Sequence, residues 1–101
     1  MIHTDSLLVW RHDDGPEVQQ PCHVRFSDDL QQLVIYYTIK EEQWLYRGEL
    51  KSEGTYEMRC DGPDYLCVGS LTHQGDSYYE GRWVQEQSRV KSSGWWSLDV
   101  A

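Results

Sequence analysis

No stretch of the chain approaches the run of about 18 apolar residues that a membrane-spanning helix needs, so no helical span is expected. Basic side chains are few, with nine Lys and Arg against 17 Asp and Glu and a net charge of −8. Nucleic-acid binding needs a basic footprint, and anionic membranes attract basic segments, so neither partner is expected. The opening MIHTDSLLVWRHDDG lacks a basic start followed by an apolar block. It does not read as a signal peptide, and cytoplasm is the expected compartment. Cysteine is scarce and odd in number: Cys22, Cys60 and Cys67. Without an export signal these read as reduced thiols acting as small apolar fillers. A bridge between Cys60 and Cys67, which flank one turn, is the alternative.

Catalytic and metal motifs are also missing. There is no GxSxG and no Gly-rich phosphate loop. His3, His12, His23 and His73 form neither HxH nor HExxH, and Cys22 and His23 are strand neighbours that point to opposite faces. Asp13-Asp14, Asp28-Asp29 and Glu41-Glu42 lie at turns, where carboxylates are solvated and cap the local backbone. The expectation is a non-catalytic protein with no metal and no cofactor.

What the chain does have is aromatic area: five Trp and seven Tyr, though only one Phe, in 101 residues. That is too much for a disordered chain and enough for one small core in a single domain, residues 1–101. Turn signals recur at short intervals, as DDGPE (13–17), SDD (27–29), KSEG (51–54), CDGPD (60–64) and HQGD (73–76). Short Val-, Ile-, Tyr- and Trp-rich stretches lie between them, a pattern of strands. Eight strands are expected, roughly 5–11, 21–26, 32–39, 43–50, 54–60, 64–72, 77–85 and 94–100. The fold class is all-β, an antiparallel up-and-down meander closing into a small barrel, with a two-sheet sandwich as the alternative.

Side chains alternate across a strand, which assigns faces. Trp44, Tyr46, Gly48 and Leu50 share the inner face, as do Tyr56, Met58 and Cys60. Tyr79, Gly81 and Trp83 do so too, and so do Gly94, Trp96, Leu98 and Val100. In the closing SSGWWSLDV, Trp96 is therefore core and Trp95 faces out. Gly48, Gly69, Gly81 and Gly94 all fall inward, where glycine lets a strand bend and makes room for a large neighbour. The pairing of YEGRW (79–83) with a final Gly-Trp strand resembles small calycin-type barrels, the architecture of lipocalins, avidins and fatty-acid-binding proteins. The likeness spans roughly residues 44–100. The resemblance implies a fold class and a barrel mouth, and it transfers no functional residue.

Two surfaces stand out. Tyr36, Leu45, Tyr78 and Trp95, with Val34, Leu66 and Val68, fall on an outer face that should be polar, and exposed apolar patches mark interfaces. In a meander, the turns at 12–20, 40–43, 61–64 and 85–93 share one end. They gather Asp13, Asp14, Glu17, Glu41, Glu42, Asp61, Asp64 and Glu86 into an acidic rim. The expected function is a small soluble binding or interaction protein. It would act through the outer patch (Tyr36, Leu45, Tyr78, Trp95) with a second copy of itself or a basic protein, and the rim would add selectivity. The alternative is a carrier of a small apolar or aromatic ligand inside the barrel, gripped by Trp44, Tyr56, Tyr79, Trp83 and Trp96.

Overall fold

The computed structural model describes residues 2–62 and 65–101. Eight strands follow one another: β1 (Ile2–His12), β2 (Glu17–Phe26), β3 (Gln32–Ile39), β4 (Glu42–Ser52), β5 (Thr55–Asp61), β6 (Tyr65–Gly75), β7 (Tyr78–Gln87) and β8 (Val90–Asp99). Each runs antiparallel to the next, and β8 returns to pair with β1 from Leu7↔Asp99 to His12↔Gly94. The meander is thus a closed barrel rather than a two-sheet sandwich. No helix among the described residues is long and apolar enough to cross a membrane.

Two strands reach further than their composition suggests. β2 begins at Glu17, not near residue 21, and runs through Pro21. Proline cannot donate to a ladder, but at Pro21 only β1 is paired alongside, because the β2–β3 register starts at His23↔Tyr36. β8 begins at Val90, not near residue 94, so the polar VKSS segment is strand rather than loop. It pairs with β7 as far as Gln87↔Val90, leaving Ser88 and Arg89 as a two-residue turn. Both have positive φ, as do Lys40 and Glu41 between β3 and β4. This is the backbone of the turn that matches the right-handed twist of a hairpin, here made without glycine.

The interior follows the alternation. Leu33, Ile35 and Tyr37 of β3 are buried, as are Tyr56, Met58 and Cys60 of β5. Leu8, Leu71 and Leu98 are fully enclosed, and each such side chain contributes about 1.5–3 kcal/mol of hydrophobic stabilisation. Gly69 lies beneath Trp96, whose Cζ2 would stand 2.9 Å from an added Cβ. Gly94 lies beneath Trp83 in the same way, and Gly48 faces the Met58 sulfur. Small-beside-large packing is therefore literal at these three positions.

Cys60 and Cys67 are direct cross-strand partners, yet all three cysteines are free thiols and buried. Loss of hydration raises each of them, Cys22 to about 11 and Cys67 to about 12. The thiolate is the reactive form. None of the three should react with Ellman's reagent in the native protein at pH 8, whereas three equivalents should react in denaturant. Rapid labelling of one thiol under native conditions would show that the barrel wall opens there.

Candidate functional site

The barrel has two unequal halves. The half nearest the 27–31, 53–54 and 76–77 turns is filled. Phe26, Tyr56 and Tyr79 meet there edge-on or tilted, with ring centroids 5.9–6.3 Å apart. The Tyr56 hydroxyl donates to the Leu30 carbonyl at 2.6 Å. The Ser6 hydroxyl oxygen, turned inward at a bulge in β1, accepts the Ala101 N–H at 3.1 Å. Tyr56 and Tyr79 are consequently inside the barrel, as alternation requires, but they plug its closed end.

The other half holds a cavity of about 90 Å³. Its floor is Tyr37, Tyr46, Cys67, Trp83 and Trp96, all buried. Its mouth is Trp10, His12, Ile39, Trp44 and Gln85, all half-buried. Trp44, Trp83 and Trp96 are the members of the expected interior set that meet here. Trp10, His12, Tyr37, Tyr46 and Gln85 join them from positions that alternation also points inward, two residues on from Leu8, Trp10, Ile35, Trp44 and Trp83.

The rings are held from several sides. Trp10 stacks on Tyr37 with centroids 6.0 Å apart, and Tyr37 stacks on Trp44 at 6.4 Å. Trp44 leans on Tyr65 at 4.8 Å, and the His12 ring meets Trp83 edge-on at 4.9 Å. The Trp83 indole N–H donates to the Trp95 carbonyl at 3.0 Å, and the Trp96 indole N–H donates to the Ser70 carbonyl at 2.7 Å. The buried hydroxyls of Tyr37 and Tyr46 bond each other at 3.3 Å. Loss of hydration pushes Tyr37 up to about 12 and raises Tyr46 further, so both phenols stay neutral. The described lining includes no Arg, Lys, Asp or Glu. An aromatic box of this kind offers mainly ring surface, with His12 and Gln85 as the polar groups at its opening.

The acidic turns lie at the same end as the cavity. Asp13 is held by Arg82 at 2.8 Å and by the Ser93 hydroxyl at 2.7 Å, and Asp61 is held by Arg59 at 3.0 Å. Those two carboxylates are committed to the outer wall. Asp14, Glu17, Glu41, Glu42 and Glu86 are exposed at this end, against Arg11, which lies opposite Glu17 in the sheet, and Lys40, Arg89 and Lys91. Asp64 lies outside the described residues. Burial raises the Tyr65 hydroxyl, the neighbouring Cys60 thiol that donates to it raises it further, and the Glu42 carboxylate adds to this. Glu42 is thus felt at the ring on which Trp44 rests.

The outer-face residues do not form one patch. Tyr36 and Leu45 are cross-strand partners on β3 and β4, with His23 tilted against Tyr36 at 5.0 Å. Tyr78 and Trp95 belong to β7 and β8, four strands away on an eight-strand ring, which is the opposite side. Trp95 is 46% exposed. It is flanked in the sheet by Arg11 of β1 rather than covered by that strand, and the Arg82 guanidinium lies 4.8 Å from its ring centroid. Among the described residues no three His, Cys, Asp or Glu side chains come together as a metal site would require. No family model, curated protein or solved structure matches the chain.

Proposed function

We propose that the protein binds a small ligand, or the small end of a larger one, in the aromatic mouth of its barrel. The observation that carries this reading is the cavity of about 90 Å³ walled by Trp10, Trp44, Trp83, Trp96, Tyr37 and Tyr46. A core built for stability alone closes such spaces, because packing normally leaves few voids larger than a water molecule. Here four of the five tryptophans surround one. Ligand sites are concave, mostly apolar and largely pre-formed, with a few polar groups for orientation. His12 and Gln85 supply those groups at the opening.

The size narrows the cargo. Drug-sized ligands occupy about 300–1,000 Å³. The space is also smaller than the roughly 150 Å³ cavity known to take benzene. A long lipid does not fit, so the reading departs from the carriers among calycin-type barrels while keeping their use of the barrel mouth. The outer-face reading has less support, since its residues divide between opposite walls. The role is one of binding without catalysis.

Indole N–H resonances test this directly, because the five tryptophans report separately. A screen of small fragments should contain compounds that shift Trp10, Trp44, Trp83 and Trp96 and leave Trp95 in place. Trp44→Ala should weaken the best of them by at least about tenfold, the scale of one lost aromatic contact. Shifts confined to Trp95, or none at any concentration, would overturn the reading.

A further inference from the structure

We infer that the group this mouth accepts is a methylated ammonium, a compact organic cation with no anion beside it. The inference rests on the mouth being a ligand site, and it names the ligand's chemistry.

Three observations converge. The first is the wall. Trp and Tyr rings attract a cation through the negative faces of their π systems, Trp most strongly. Six such rings surround the cavity. The second is what the wall cannot do. A carboxylate or phosphate seated among these rings needs donors or a cation, because an unpaired buried charge is prohibitively costly. The described lining has no Arg or Lys, and the indole N–H groups of Trp83 and Trp96 already donate to backbone carbonyls. One of the Tyr37 and Tyr46 hydroxyls donates to the other, which leaves a single phenolic O–H between them. A primary ammonium would also fare badly, since it brings three donors to a site whose polar side groups at the opening are only His12 and Gln85. A trimethylammonium brings none, and carries its charge under an apolar surface.

The third observation is the rim, which separates a cation from a neutral group of the same shape. Asp14, Glu17, Glu41, Glu42 and Glu86 are exposed around this end and outnumber Arg11, Lys40, Arg89 and Lys91. The chain carries −8 overall. That field attracts a cation and opposes zwitterions whose anion would sit at the rim. The cavity is small, so the trimethylammonium enters and the rest of its molecule projects from the mouth. Free choline and a trimethyllysine side chain both meet that description.

The decisive experiment titrates the full chain with choline, with its neutral carbon isostere 3,3-dimethylbutan-1-ol and with glycine betaine, following the indole resonances. Choline should bind at least about tenfold more tightly than the isostere, the factor a desolvated cation–π contact supplies. Betaine should bind more weakly than choline. Added salt should weaken choline and leave the isostere unchanged. Glu86→Lys, which reverses a charge on the rim outside the lining, should weaken choline while neutral fragments still shift the four mouth indoles. A peptide carrying one trimethyllysine identifies the source. If it binds more tightly than choline, the natural ligand is a protein tail; if choline is equal or tighter, it is a free small molecule. Equal affinity for choline and the isostere would overturn the cationic inference and leave the cavity as a ligand site. So would neutral fragments that bind where no ammonium does. If neither ammonium compounds nor any fragment shift the mouth indoles, both readings fall together.

Discussion

Replacing Gly94 by alanine should cost the barrel about 3 kcal/mol or more, the upper range of overpacking in a close-packed interior. At this chain length that lowers Tm by roughly 12–24 °C. Gly94 sits where β8 is pinned on both sides, by His12 of β1 and Trp83 of β7. An added Cβ would run into the Arg11 carbonyl oxygen, with the carbonyl carbon and the Trp83 Cζ2 each 2.8 Å away. Neither neighbour can move cheaply. The Arg11 carbonyl belongs to the strand that closes the barrel. The Trp83 ring is fixed by its bond to Trp95 and by His12 against its edge. Relief would require β1 and β8 to separate at the seam. Thermal unfolding of Gly94→Ala measures this, and a Tm within a degree or two of the parent would show that the seam is looser than it looks.

The second large effect separates two adjacent residues. Trp96→Ala should destabilise the protein by about 3–5 kcal/mol, the usual cost of deleting a buried large aromatic side chain. Trp95→Ala should cost less than about 1 kcal/mol. Trp96 is 4% exposed, bonds the Ser70 carbonyl, packs edge-on against Tyr46 with centroids 5.5 Å apart, and fills the space Gly69 leaves. Trp95 lies on the outer surface under the Arg82 guanidinium, an arrangement worth about 0.5–1 kcal/mol at an exposed site. Urea unfolding of both variants gives the comparison. Equal losses would mean that the two indoles share the load, against their placement on opposite faces.

That placement could be read from GWWSLDV alone, because a side-chain period of two leaves no freedom once the strand is granted. The same rule put Trp44, Tyr56, Tyr79, Trp83 and Trp96 inside, and all five are there. It could not say how high each sits along the barrel axis. Height depends on the stagger accumulated over eight registers, so Tyr56, opposite Leu50 and Leu71, falls in the closed end while Trp44, opposite Tyr37, reaches the mouth. Trp10, His12 and Gln85 were within reach of the pattern, each two residues beyond an inward neighbour. The missing piece was knowing that β1, β3, β4, β7 and β8 bring those positions to one level. The outer residues carried the complementary ambiguity. Alternation places Tyr36 and Trp95 outside, and only the closed strand order puts them on opposite walls. Composition understates β2 and β8 because the Glu- and Gln-rich residues 17–20 ahead of Pro21 and the Ser-rich start of β8 are poor strand formers, carried along by ladders already in place.

The seam between β1 and β8 also sets a timetable. Every other pairing joins strands that follow one another along the chain, and could zip up as soon as both exist. Closure alone joins residues some ninety positions apart, such as Leu7 and Asp99. A growing chain therefore passes through a state in which seven strands are complete and the sheet is open. In that state β1 and β7 each present an unpaired edge, the surface on which foreign strands add. The Trp83 ring meanwhile lacks Gly94 beneath it, and Trp96 has not arrived to cover Tyr46. β8 supplies the missing edge and the last ring of the cavity floor, Trp96, in one step. The vulnerable interval is thus the one before β8 is in place, when an almost finished barrel has two sticky rims.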